Sequence, residues 1–543
     1  MSTVLVIGSG IAGMACAVRC AEHGLQVILA SPYPSERAQS VMASGGINAV
    51  TDSCENGDSI ACHVQDTLKG GCFLAGEQAV SGLCGQAGEI VRYLERIGTV
   101  FSLNEAGKPA RRAFGGQSHK RTYYCGASTG KQIVSALVME VRRLEAAGRI
   151  ERRLALFFHS GLIRDGVCYG AIFFNRQSGR LEAVYADAVV MATGGQNDLF
   201  GKTTGSTLCD GYAAGKLFLQ GAELKNLEFI QYHPTTLETS QKRMLVSEAA
   251  RGEGGRLFYE ADGRRCYFME KKYGPDGNLQ TRDVISREME AVGKQIYLDV
   301  SFLGDELIRR RLPEVRDICL KYRGIDITKE PIPVVPSVHF FMGGLAVHGN
   351  HETNIRRLFG VGECASLYHG ANRLGGNSLL AAVHSGWTAA DEAAGRPQEK
   401  RSADFSSELK REDSLLQKHL TSESPFPAAY IRDMLAESMA ENLGIVRHEA
   451  ALRKGIEDVE QDLEIARHIR FDPVTPYTNY SLTGILTLAR AVLTCALERR
   501  ESRGAHFRKD YPDPDEAMRA ASVIAYDDGA YTFRLDKEHA YEV

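Results

Sequence analysis

The sequence predicts an α/β protein: a nucleotide-binding fold of Rossmann type, built from separated pieces, with a segment inserted between them and a helical region after them. Three observations carry this. A β-branched strand, Val4 to Ile7, runs into Gly8-Ser9-Gly10-Ile11-Ala12-Gly13, then a helix to about Ala21 and a strand Val27 to Leu29, the context a dinucleotide site needs. Two later apolar runs, Ala188 to Gly195 and Leu358 to Val361, also stop at glycines, as buried strands stop at turns. From about Gln231 to Val338 the chain has its own turns and charged helices, and residues 400–510 are mostly amphipathic helix.

The 543 residues allow three or four domains and a large core. Apolar residues make up 44%, charged residues 24%, and the formal charge is -4. That balance excludes the basic face of a nucleic-acid binder. No run of eighteen apolar residues occurs, so no membrane-spanning helix is expected, and the apolar start lacks the basic flank of a signal peptide. The 13 cysteines are scattered with no CxxC, which predicts free thiols in a reducing compartment, no metal-ligand spacing and no iron–sulfur cluster held by this chain alone.

Each element has a local reason. Gly8 permits a tight turn, Gly10 lets a pyrophosphate approach the backbone, and Gly13 lets helix and strand pack closely. The second strand ends in Ala30-Ser31, with no acid for a ribose, which argues against a standard NAD site. Arg37 to Val50 is rich in small residues, so its backbone can lie flat against a planar ring. Asp66 to Gly71 reads as a helix end with a glycine stop, and Asp165-Gly166 as a hairpin turn. A second glycine pair, Gly115-Gly116, follows Phe114. In Leu358 to Ser385 a strand, an acid (Glu363), a Gly- and Asn-rich loop carrying His369 and Arg373, and a helix capped by Asn377 or Ser378 converge. A fixed guanidinium beside a helix N-terminus suits an anionic cofactor and an anionic substrate held together. The residues alone indicate a flavin or nicotinamide oxidoreductase acting on an anion.

Five motifs in order give a sharper reading: HPT at His233, SExxRGEGG at Ser247, RD at Arg282, HxxMGG at His339 and HGANRLGGNSL at His369. With them the chain resembles the flavoprotein subunits of fumarate reductase and succinate dehydrogenase, a superfamily that includes L-aspartate oxidase, from Gly8 to Pro512. The resemblance implies a discontinuous Rossmann-like FAD domain (1–231 and 339–395), an inserted α+β capping domain (232–338), a helical domain (400–512) and a tail (513–543). FAD would lie over Gly8, Gly10, Ile11, Ala12 and Gly13. Ser31 would stand at the adenosine ribose, and Gln39, Ser40, Ser44, Gly45, Gly46, Thr193, Gly194, Asp210, Glu363, Ser378 and Leu379 along the rest. The substrate would be a four-carbon dicarboxylate, fumarate or succinate. His339 and Arg373 would hold one carboxylate, His233 and Ser247 the other. Arg282 would transfer the proton, supplied through Glu248 and Arg251, while His369 buttresses the loop. An iron–sulfur protein is the implied partner. The implied location is cytoplasmic, peripheral at the inner face of the membrane through partner subunits only.

Three departures refine this. Gln39 stands where respiratory members carry the histidine that bonds covalently to flavin, so FAD should be held non-covalently, which favours reduction of the double bond. Ser247 replaces a common threonine and keeps the hydroxyl. Aspartate oxidases place a carboxylate just before the second glycine pair, where this chain has Phe114. Alternatives are an aspartate-type oxidase, a reductase of a related unsaturated acid, and a non-catalytic FAD-binding relay subunit.

Overall fold

The computed structural model describes residues 2–51, 57–126, 128–240, 242–396, 403–422, 427–472 and 476–537. Its centre is the strand Thr3–Ile7, whose four inner side chains are buried apolar residues. It is the third strand of a five-stranded sheet, in the order Leu358–Gly360, Ala188–Met191, Thr3–Ile7, Gln26–Ser31, Ile150–Leu154. Every pairing in it is parallel, so buried runs from three distant stretches of chain lie side by side, as the glycine-stopped runs predict. The helices Ile11–Glu22 and Asn377–Gly395 cover one face. They touch where a Cβ on Gly386 would stand 2.6 Å from the Ala12 carbonyl oxygen.

The inserted segment builds a separate six-stranded sheet, ordered Arg243–Leu245, Ile230–Glu238, Ile332–Phe341, Ile296–Asp299, Arg256–Ala261, Arg264–Cys266, with antiparallel pairings throughout. Its apolar cluster, including Leu257, Ile285, Met289, Leu298 and Ile332, is distinct from the two large clusters of the remaining chain. The two long strands Ile230–Glu238 and Ile332–Phe341 pair with each other, so the insertion leaves and re-enters through one two-stranded stem.

Four helices follow: Ser406–Leu420, Ala428–Asn442, Glu449–Ala466 and Pro476–Glu498. Pro476–Glu498 is long and apolar enough to cross a membrane by length and composition, which the residue count above did not anticipate. Its most apolar window is 78% buried inside the fold, so its apolarity is accounted for by protein packing.

Two local expectations are corrected. The helix beginning at Asn377 is capped by Gly376 (φ +84°), not by Asn377 or Ser378. Asn377 is buried instead; its carbonyl oxygen accepts from Asn48 Nδ2 at 2.7 Å and its amide donates to Thr67 Oγ1 at 2.9 Å. The stretch after Pro512 is no loose tail. Ala521–Asp527 and Ala530–Asp536 form a hairpin that joins Leu224–Lys225 and Gly344–Ala346 in a second five-stranded sheet. The strand Leu156–Arg164 begins just after Ala155, which has a positive φ of 62°. The twelve described cysteines are free, and Cys16 and Cys20 lie 4.0 Å apart at sulfur on the first helix.

Packing of Tyr212–Phe218 on Pro476–Glu498 depends on Gly215, where a Cβ would stand 1.9 Å from the Gly484 carbonyl oxygen. Gly215→Ala should force the helices apart and cost about 1–3 kcal/mol. Gly85, exposed on the helix Glu77–Arg96 with nothing near its Cβ position, should gain about 0.5–1 kcal/mol as alanine. Denaturant titration of both variants checks the contrast.

Candidate active site

One cavity of ≈ 1190 Å³ collects nearly all the predicted residues. Gly8, Gly10, Ile11, Ala12, Ser31, Gln39, Ser40, Ser44, Gly45, Gly46, Thr193, Gly194, Asp210, Glu363, Ser378 and Leu379 line it, and so do His233, Ser247, Glu248, Arg282, His339, His369 and Arg373. Two predicted residues stand behind the wall. Gly13 packs the helix on its strand, its Cβ position 1.9 Å from the Gly8 carbonyl oxygen, and Arg251 is buried beneath Glu248.

The nucleotide end is a backbone cradle. Gly8 holds φ +111°, and a side chain there would meet the Ala192 carbonyl at 2.3 Å. The helix Ile11–Glu22 starts directly on the cavity, and the Ile11 N–H donates to Ser40 Oγ at 3.2 Å. A helix start with uncovered N–H groups favours a pyrophosphate. Asp210 Oδ1 accepts the Tyr212 N–H at 3.0 Å, and burial raises its carboxyl above the usual range. Gln39 carries a buried amide oxygen with no hydrogen-bond partner among the described residues, a polar atom that a bound group can satisfy. These features fit FAD.

At the other end the inserted sheet meets the Gly- and Asn-rich loop. Arg282 opens the helix Arg282–Val292, and its Nε and Nη2 donate to Glu248 Oε2 at 2.9 and 2.8 Å. The other oxygen of Glu248 accepts the Gly115 N–H at 2.9 Å and lies 3.7 Å from Arg251 Nη2. Arg251 Nη1 donates to the Asn278 carbonyl at 2.6 Å. His233 and His339 stand edge to face, ring centres 5.2 Å apart. Arg373 lies over the Phe340 ring at 4.2 Å.

The electrostatics are unequal. Burial alone would raise the Glu248 carboxyl, but Arg282, Arg251 and the Gly115 N–H hold it down at about 2. Burial lowers Arg373 to about 9, helped by repulsion from Arg282, so it stays charged at neutral pH. Burial and the nearby guanidiniums keep His233 and His339 neutral. Three guanidiniums thus share one firmly ionised carboxylate and the partial charge of Glu363, so positive charge is in excess. Burial also lifts the Glu363 carboxyl to about 7, against the Phe341 N–H and Arg373.

Sequence reasoning missed the residues that hold these groups. Gln231, at the foot of the stem strand, accepts from both Arg282 and Arg373. Thr204 hydrogen-bonds His339 Nδ1 at 2.8 Å. Only one signal was available: Gln231 lies two residues before His233, a spacing that shares one face of a strand.

A family model described as "FAD binding domain" matches residues 3–379, and one described as "Fumarate reductase flavoprotein C-term" matches residues 432–541. The succinate dehydrogenase flavoprotein subunit of Bacillus subtilis is 36% identical over 539 residues, covering 95% of this chain and 92% of the relative. The 8-methylmenaquinol:fumarate reductase flavoprotein subunit of Wolinella succinogenes is 35% identical over 545 residues, covering 95% of this chain and 86% of the relative. Among solved structures, E. coli quinol fumarate reductase FrdA superposes with a TM-score of 0.91 at 28% identity, covering 100% of this chain and 98% of that one.

Glu363 supplies a pH test. Its native pKa of about 7 lies above the ordinary 4.5. Between these values the folded chain holds a proton that the unfolded chain releases. Stability from this group is therefore present on the acid side and lost as pH rises to about 7. In the flavin-free protein, Glu363→Gln should remove up to about 3 kcal/mol of stability loss between about pH 5 and about pH 8, read by denaturant titration against wild type.

Proposed function

The chain belongs to the fumarate reductase and succinate dehydrogenase flavoprotein family, FAD-dependent oxidoreductases that act on CH–CH bonds, and from that premise we propose that it reduces fumarate to succinate. The family interconverts these two acids. We propose further that the chain works as the flavoprotein subunit of a larger complex, taking electrons from an iron–sulfur protein and meeting a membrane only through partners. The observation that carries the substrate reading is the cluster of three buried guanidiniums, with one firmly ionised carboxylate among them, beside the flavin-binding cradle. Buried charge is costly unless paired, and a dicarboxylate supplies the missing pair.

In this reading Arg373 and His339 take one carboxylate, and His233 and Ser247 the other. Each neutral imidazole can donate from Nε2 only if its Nδ1 is an acceptor. The Thr204 hydroxyl can donate to His339 Nδ1 at 2.8 Å, so that ring can present Nε2–H to the substrate. His233 Nδ1 lies 3.1 Å from the Thr235 carbonyl oxygen and 3.3 Å from the Thr235 N–H, and the ring presents Nε2–H in the tautomer that accepts from the N–H. Clamping both carboxylates polarises the double bond. Bound FAD supplies the hydride chemistry. Arg282 gives a proton to the other carbon; a free guanidinium is a poor acid, so its proton must be restored at once, and Glu248 and Arg251 form the relay.

Phe114 separates this reading from an aspartate oxidase. It is buried, lines the cavity and packs against Gly375. The acid next to its loop in space, Glu248, is committed to Arg282 and the Gly115 N–H. A substrate ammonium would find no free carboxylate at that wall.

A viologen assay without oxygen and an oxygen electrode, run on one preparation, test the reading. Fumarate should be reduced and L-aspartate should yield no peroxide; faster aspartate oxidation overturns the choice. Arg282→Ala should keep its yellow colour and bind dicarboxylate, yet lose about two to four orders of magnitude in turnover. Arg373→Ala should chiefly raise KM. With Gln39 in place of a histidine, we propose that FAD is dissociable: acid precipitation should leave a colourless pellet and a yellow supernatant, and a pellet that stays yellow on a denaturing gel would refute this.

A further inference from the structure

The two arginines nearest the proposed substrate are joined through one neutral atom. Gln231 is fully buried, at the start of the stem strand Ile230–Glu238. Its amide oxygen accepts from Arg282 Nη1 and from Arg373 Nη2, each at 2.9 Å. Its amide nitrogen donates to Asn372 Oδ1 at 2.7 Å and to the Arg373 carbonyl at 2.8 Å. Two donors on one side and two acceptors on the other fix which end of the amide is oxygen. Asn372 in turn donates from Nδ2 to Asp283 Oδ1 at 2.7 Å. Asp283 follows Arg282 in the chain, so Arg282, Gln231, Asn372 and Asp283 form a closed ring of hydrogen bonds and chain.

We infer that Gln231 and Asn372 are positioning residues that set the spacing between the proton-donating guanidinium of Arg282 and the carboxylate clamp of Arg373, and that they do so only while the helix Arg282–Val292 is seated on the loop. The inference rests on the reading proposed above. Neither residue lines the cavity; they act through the arginines. The chemistry of the amide is specific. A neutral acceptor can bind two guanidiniums without cancelling either charge, so the pair still presents its full positive charge to a dianion. A carboxylate at 231 would still accept from both guanidiniums but would cancel part of their charge, and it would set an oxygen against Asn372 Oδ1 and the Arg373 carbonyl, to which the amide nitrogen now donates. An aliphatic side chain would leave a guanidinium N–H on each arginine and the Asn372 carbonyl oxygen without this partner, and misplacement by even 1 Å costs catalysis heavily. The Asn372–Asp283 bond adds the conditional part. If the helix Arg282–Val292 lifts away, Arg282 loses Gln231 and Asp283 loses Asn372 in the same movement, so the proton donor is aligned only when the inserted segment is docked.

The test uses the full-length, FAD-loaded protein, with rates normalised to bound flavin. Gln231→Glu should raise KM for fumarate by about ten- to a hundredfold with a much smaller fall in kcat. Gln231→Met should do the reverse: kcat falls by about ten- to a hundredfold and the solvent deuterium isotope effect on kcat rises, since proton transfer becomes limiting. Asn372→Ala should follow Gln231→Met in direction. A purely structural role would lower flavin content or thermal stability while leaving KM, kcat and the isotope effect per flavin unchanged; that result overturns the inference, as would identical profiles for the Glu and Met variants. If Gln231→Met does not retain FAD, the nearly isosteric Gln231→Glu and the Asn372→Ala variant decide. Succinate binding, followed by flavin absorbance, keeps the two readings apart. A wild type without fumarate turnover, whose succinate affinity still drops about tenfold or more in Gln231→Glu, would refute the proposed reaction and support the role of Gln231. Unchanged succinate affinity in that variant refutes the role.

Discussion

The site depends on one carboxylate. Glu248 is buried, and its two oxygens take two bonds from Arg282 and one from the Gly115 N–H, with Arg251 behind. Three stretches of chain, residues 114–117, 247–252 and 282–292, are therefore fixed with respect to each other by one anion. Removing one member of such a buried network would leave charge uncompensated, which costs several kcal/mol. The network explains why the inserted sheet needs its own apolar core. A lone guanidinium on a loose lid could not hold Arg282 within hydrogen-bond reach of Glu248 and Gln231 together.

The parts of the fold and site that were legible in the sequence are those whose cause is local. The glycines of the cradle announce themselves because the turn and helix they serve lie within a dozen residues. Strand runs such as Ala188–Met191 are apolar on both faces and need no partner to be recognised. The motif histidines and arginines were legible only as a set that resembles a family; taken singly, His233 or His339 reads as a core histidine. The structure places them around one cavity, while their roles remain the proposal made above.

What was illegible depends on distance along the chain. Gln231 meets Asn372 and Arg373 across 141 and 142 residues, and Thr204 meets His339 across 135. No periodicity marks such pairs. The hairpin at 521–536 was legible and passed over: in its outer strand Tyr531, Phe533 and Leu535 are half-buried and alternate with Thr532 and Arg534, which are exposed. The cap at Asn377 failed because tertiary bonds to Asn48 and Thr67 outbid the local preference of asparagine for a helix start.

The same geometry bears on the direction of the reaction. Fumarate and succinate are both dianions, and the proposed clamp of one guanidinium, two neutral imidazoles and a hydroxyl would meet the same charges in each. Interactions that bind both forms equally do not favour one over the other. In the proposed reading the clamp selects and aligns the substrate, and the balance between reduction and oxidation falls to the surroundings of the flavin. Two residues that line the cavity bear on this in the proposed reading: Gln39, which stands where covalently flavinylated relatives are expected to carry a histidine, and Glu363, whose carboxyl burial lifts to about 7. A carboxyl that is half ionised near pH 7 adds or withdraws a negative charge beside the cofactor as conditions change. On that reading, selection of the acid and bias of the reaction meet in one loop, because it carries both Glu363 and Arg373 and the two feel each other's charge.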